Sequence, residues 1–159
     1  MRNISTETKI IGGIGLLTLA ILVGGVSLLS FQQAKEASIP EGDVVSRSGI
    51  HWHPHLSIYI KGKQQEIPKS LGISGVHQPV HTHDSSGTLH LEIGGVVTRD
   101  KIKLDNFFRI WGKDFNSNCI FDKCNGAEEK VKMLVNGKEN TEFENYQMRD
   151  GDKIEVRYE

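Results

Sequence analysis

Gly75-Val76-His77-Gln78-Pro79-Val80-His81-Thr82-His83-Asp84-Ser85-Ser86-Gly87-Thr88-Leu89-His90-Leu91-Glu92-Ile93-Gly94 holds four of the seven histidines of this 159-residue chain. Its second half alternates. Leu89, Leu91 and Ile93 share one parity and His90 and Glu92 the other, as in a strand with one apolar and one polar face. Asp84-Ser85-Ser86-Gly87 carries turn chemistry, so the expected unit is a β-hairpin. An even loop centred on Ser85 and Ser86 sets His81 opposite His90, His83 opposite Thr88 and Pro79 opposite Glu92. Opposed Cβ atoms stand about 4.5 to 5.5 Å apart. His81, His83 and His90 then crowd one face with Glu92 beside them, which is ligand geometry for a divalent metal. The plainer reading is a strand pair with polar histidines, and Asp84 as a turn residue bonding its own backbone.

A second cluster, His51-Trp52-His53-Pro54-His55, precedes Leu56-Ser57-Ile58-Tyr59-Ile60. As one extended segment it places Trp52, Pro54, Leu56, Ile58 and Ile60 on one face and the three histidines on the other. Proline fits only a strand start, an edge or a bulge, which makes the facing of His51 and His53 depend on Pro54. The expected metal ligands are therefore His53, His55, His81, His83, His90 and Glu92. Imidazole donors suit copper(II) and zinc, and the divalent affinity order ranks copper first. Met133 and Met148 are isolated, which argues against a thioether site for copper(I).

Ahead of these clusters, residues 10–31 form an uncharged run of 22. As a helix it reaches about 33 Å, enough for a hydrocarbon core of about 30 Å. The apolar region of a secretory signal is shorter, and Phe31-Gln32-Gln33-Ala34 is a poor cleavage site, so an uncleaved anchor is expected. Arg2 and Lys9 precede the run, whereas Lys35, Glu36, Glu41 and Asp43 follow it. This asymmetry places residues 1–9 in the cytoplasm and the rest outside. Residues 32–48 are polar, contain Pro40 and Gly42, and read as a stalk; residues 49–159 read as a globular extracytoplasmic domain. Net charge is −1 with no basic run or face, which excludes a nucleic-acid binder.

Within the globular part, Leu104, Phe107, Phe108 and Trp111 recur at helical spacing and Gly112 ends the stripe. This predicts one short amphipathic helix with a core face. Cys119 and Cys124 are close enough in an extracytoplasmic chain to pair as a disulfide. Val131, Met133 and Val135 alternate before Asn136-Gly137, a hairpin signal, and Ile154 to Tyr158 forms a last strand. The predicted fold is α+β and mainly β: antiparallel hairpins, one short helix, a C-terminal part of β-grasp (ubiquitin-like) character, and one N-terminal transmembrane helix.

His53-Pro54-His55-Leu56, His81-Thr82-His83-Asp84, His90-Leu91-Glu92, Phe107-Phe108, Trp111-Gly112 and Val135-Asn136-Gly137-Lys138 occur in that order. With them, residues 50–159 resemble a family of small membrane-anchored or secreted, His-rich archaeal and bacterial proteins, closest to members from ammonia-oxidising archaea. Some archaeal members carry a protein-disulfide isomerase label, which implies redox chemistry at Cys119 and Cys124. This chain has no Cys-x-x-Cys. The function expected from the residues is a membrane-anchored, extracytoplasmic transition-metal binding module. Its rivals are a thiol-disulfide oxidoreductase, a metal-dependent hydrolase using Glu92 or Asp84 as base, and an accessory subunit of a membrane complex. No substrate pocket is evident in the sequence, which favours binding over catalysis.

Overall fold

The computed structural model describes the backbone from Thr6 to Glu159 and the side chains from Leu17 onward. Residues 1–5 of the expected cytoplasmic segment lie outside the described residues. The chain divides into two compact units, Met1–Glu41 and Gly42–Glu159.

In the first unit, helix α1 (Thr6–Ala37) extends past the predicted run at both ends. Gln32 to Ala37 are good helix formers, so the opening of the expected stalk is helical. Pro40 stops it soon after, because proline has no N–H to donate and pushes the preceding residue out of the helical region. The 21 residues Leu17–Ala37 are long and apolar enough to cross a membrane. From Leu17 to Phe31 the large apolar side chains are 58% to 70% exposed. Ser27 and Ser30 donate their hydroxyls to the carbonyls of Val23 and Val26, so neither O–H needs water.

The second unit is α+β and mainly strands. In chain order these are β1 (Val44–Ser46), β2 (Ile50–Trp52), β3 (His55–Ile60), β4 (Lys63–Gln65), β5 (Val80–His81), β6 (His90–Ile93) and β7 (Val97–Thr98). After helix α2 (Asp105–Trp111) come β8 (Cys119–Ile120), β9 (Lys123–Cys124), β10 (Val131–Val135), β11 (Lys138–Glu139) and β12 (Lys153–Tyr158). Strand β1 falls inside the expected stalk and pairs with β7 as a separate two-stranded sheet, its Val44 and Val45 being β-branched residues that favour strands.

Five strands form one sheet in the order β11-β10-β12-β3-β4. β12 runs parallel to β3, aligning Ile154 with Leu56 and Val156 with Ile58, and antiparallel to β10, aligning Val156 with Met133. Alternation decides the buried face: these five side chains are at most 1% exposed. Two-residue turns, Lys61-Gly62 and Asn136-Gly137, close the outer pairs with positive φ at all four positions, the type I′ form that suits strand twist. Helix α2 adds Phe107 and Phe108 to the core, with Leu104 just before it. Gly112 ends it in the left-handed conformation. The apolar stripe is thus core.

Three more strands form a second sheet in the order β2-β6-β5. Its inner face supplies Val80, Leu91 and Ile93 to the same core. Between β2 and β3 the chain passes through His53 and Pro54 without losing its partner: Leu89 N–H donates to the Pro54 carbonyl, and His55 bridges Thr88. The histidines therefore collect where the two sheets meet.

Candidate metal centre

A single register runs through Ile50 opposite Ile93, His51 opposite Glu92, Trp52 opposite Leu91 and His55 opposite Thr88. Continued across Pro54, it places His53 opposite His90. On the other edge of β6, His81 is opposite His90. His90 is thus the middle of a row of three imidazoles drawn from three chain segments. Its ring centroid lies 4.8 Å from that of His53, 5.5 Å from His81 and 4.4 Å from His83.

His81 is fully buried although it belongs to the polar face of its strand. The loop between β4 and β5 covers it, and Thr82 ties that loop down. The Thr82 hydroxyl donates to the Pro68 carbonyl and accepts from Leu71 N–H, while Thr82 N–H donates to the Leu71 carbonyl. A buried threonine with both its hydroxyl and its backbone N–H used is a rigid fastening. It sits between His81 and His83 and so fixes where both rings leave the backbone.

One ligand atom from each of His81, His83, His90 and Glu92 lies within 4.8 Å of the other three. His81 Nδ1 is 3.1 Å from the Gln78 carbonyl, which can only accept, so this nitrogen carries the proton. The other nitrogen, Nε2, keeps its lone pair and lies 3.3 Å from His83 Nε2. Two ligands of a tetrahedral ion with bonds of about 2.0 to 2.1 Å stand about 3.3 to 3.4 Å apart. A hydrogen bond between the rings would give a similar distance. His90 adds an observation that this hydrogen bond leaves unexplained: its Nδ1 is buried with no hydrogen-bond partner among the described residues. A buried ring nitrogen without a partner is costly unless something coordinates it.

Electrostatics favour the neutral ligands that a metal needs. Burial lowers the pKa of His81, against the opposing pull of the Gln78 carbonyl. Burial also lowers that of His90, helped by the neighbouring rings of His83, His53 and His81. A second donor set, His51, His53 and His90, meets the same distance limit and is more exposed. His51 Nε2 lies 3.1 Å from Glu92 Oε1, so Glu92 touches both sets. The His53 backbone N–H donates to Asp150 Oδ1, which anchors that residue to the turn before β12.

Of the six residues expected as ligands, His81, His83, His90 and Glu92 come together, and His53 joins them through His90. His55 belongs to neither set. Its ring packs against Gly87, with Cε1 3.1 Å from where a Cβ on Gly87 would sit. The expected pairing of His83 with Thr88 is not among the paired residues, since β5 ends at His81 opposite His90; on the other edge Thr88 bridges His55. On that edge Leu56 N–H also donates to the Gly87 carbonyl. Asp84 accepts from Ser86 N–H as a turn residue and is in neither donor set. His77 lies in the loop, yet its ring is 4.2 Å from that of His81. His51 was not among the expected ligands; its only sequence signal was the shared parity with His53 and His55. Cys119 and Cys124 are directly opposed across β8 and β9 and joined as a disulfide. No family model, curated protein or solved structure matches this chain.

Proposed function

We propose that the Gly42–Glu159 unit binds one transition-metal ion through His81, His83, His90 and Glu92, as a membrane-anchored module facing away from the cytoplasm. The observations that carry this reading are the convergence of one ligand atom each from His81, His83, His90 and Glu92 within 4.8 Å and the buried, unpartnered Nδ1 of His90. Three imidazoles and a carboxylate suit copper(II) and zinc, with copper first by the divalent order. The anchor is α1, and the charges flanking it in sequence favour an inward N-terminus. The resemblance to membrane-anchored His-rich proteins belongs to the same proposal. So does a β-grasp description of the five-stranded sheet, supported by a parallel central pair between two outer antiparallel pairs.

Metal titration of the purified protein tests the reading. It should take up one tight equivalent of copper(II) or zinc, and His90→Ala should lose most of that affinity, whereas His55→Ala should retain it. Glu92→Gln separates two roles. A carboxylate that only orients an imidazole is worth about 10- to 100-fold in affinity, and a larger loss marks a direct ligand. If His81→Ala and His90→Ala bind as tightly as the parent, the row is an ordinary polar sheet face and the proposal fails.

A further inference from the structure

The two donor sets share His90, differ in exposure and touch through Glu92. The side chains of His51 and His53 are 63% and 43% exposed, whereas His81 is fully buried. Ring centroids follow one another from His51 to His53 at 4.7 Å, to His90 at 4.8 Å, to His83 at 4.4 Å and to His81 at 4.9 Å. These rings form a continuous row that begins at the exposed His51 and ends at the buried His81, with His83 exposed beside it. Resting on the metal-binding reading above, we infer that His51, His53 and His90 are an entry site, which accepts the ion and hands it to His81, His83 and Glu92 while His90 stays bound.

The chemistry is ligand exchange alone. The bonds to His51 and His53 break, bonds to His81, His83 and Glu92 form, and the oxidation state of the metal does not change. Exchange that keeps one His90 nitrogen bound avoids releasing the ion to water between the two sets. Glu92 supplies the link. Its carboxylate lies against His51 Nε2, and an ion arriving at His51 meets that carboxylate at once. Turning Glu92 from His51 to the ion frees one outer contact as it adds one inner ligand. Within the inner set His83 and Glu92 are exposed and only His81 is fully buried, so His81 is the ligand that the ion reaches last.

Stopped-flow uptake of copper(II), supplied as its glycine complex to the full chain in detergent micelles, tests the inference alongside equilibrium titration. His51→Ala/His53→Ala should keep an affinity close to the parent's and associate more slowly by roughly tenfold, the scale on which supporting groups act at metal sites. All the residues changed in these variants are at least partly exposed. His83→Ala/Glu92→Gln should keep a weaker, rapidly filled site, and adding His51→Ala should abolish it. Association of the outer double variant at the parent rate overturns the entry role. So does a loss of affinity as large as that of His83→Ala/Glu92→Gln, because the outer histidines would then hold the resting ion. A second equivalent bound as tightly as the first also overturns it, since His90 would serve two resident ions. If the parent takes up no copper(II) or zinc, the metal-binding reading itself falls, an outcome separate from any difference in rate among chains that bind.

Discussion

Lowering the pH should unfold the metal-free Gly42–Glu159 unit through its buried imidazoles. Burial lowers the folded-state pKa of His81 and His90 below the ordinary value of 6.5. The unfolded chain binds the extra protons, so these two groups leave stability intact above about pH 6.5 and remove it as pH falls below that value. Between about pH 7.5 and 5.5 an unfolded histidine gains about 1.4 kcal/mol from protonation, which the folded state forgoes while its own pKa lies lower. Two such groups set a ceiling of about 2.7 kcal/mol, a large fraction of the stability of a small domain. Urea unfolding followed by tryptophan fluorescence, with a chelator present and midpoints taken at several pH values, measures it. His81→Asn places an amide N–H near the position of Nδ1, facing the Gln78 carbonyl, and does not titrate. The difference between parent and variant isolates this one imidazole, and the variant should lose about half the dependence. Identical pH dependence in both would mean that His81 is charged in the folded protein, and the argument from burial would be wrong.

Gly87 has φ +91°, and a Cβ there would lie 2.4 Å from the Leu56 carbonyl oxygen. Gly87→Ala should therefore cost at least about 2 kcal/mol in urea unfolding and disturb the end of the histidine row; a neutral effect would refute the close approach. Cys119→Ser/Cys124→Ser opens a ring with a sequence separation of only 5, and should cost about 2 kcal/mol with metal affinity unchanged. If that variant instead loses metal, the disulfide supports the site. The full chain should stay with membranes through an alkaline carbonate wash while residues 42–159 alone remain soluble, and release of intact full-length protein would remove the anchor.

His81 opposite His90 was legible because turn chemistry at Asp84 to Gly87 and strict alternation after it leave few registers open. The donors His83 and Glu92 follow from the same local pattern. The opposition of His53 and His90 was not legible. It depends on β2 joining β6 across some 40 residues, and Pro54 hides the continuity of that segment by interrupting its strand character. His51 went unnoticed for the same reason, since its value comes from standing opposite Glu92. His55 was misplaced because the sequence does not show that β3 leaves the histidine sheet for the five-stranded one. The helix stripe and the Asn136-Gly137 turn are short-range features, and they read directly. Thr82 shows the opposite limit: nothing in its neighbours predicts that a lone threonine fastens a loop to the site.

The pairing of β6 on both edges also constrains how this gene can change length. Leu89, Leu91 and Ile93 point into the core, and His90 and Glu92 away from it. Removing or adding one codon between Asp84 and Gly87 while the pairing partners stay in place would invert that strand, burying an imidazole and a carboxylate and exposing three apolar side chains. Only changes of two residues preserve the facing, and even these shift His90 away from both His53 and His81. By contrast, the tip of the covering loop around Ser74 to Val76 is exposed and borders neither sheet, so indels should accumulate there. Variation in length between the two histidine clusters is thus compatible with an unchanged donor row, whereas variation inside the 84–87 turn is not.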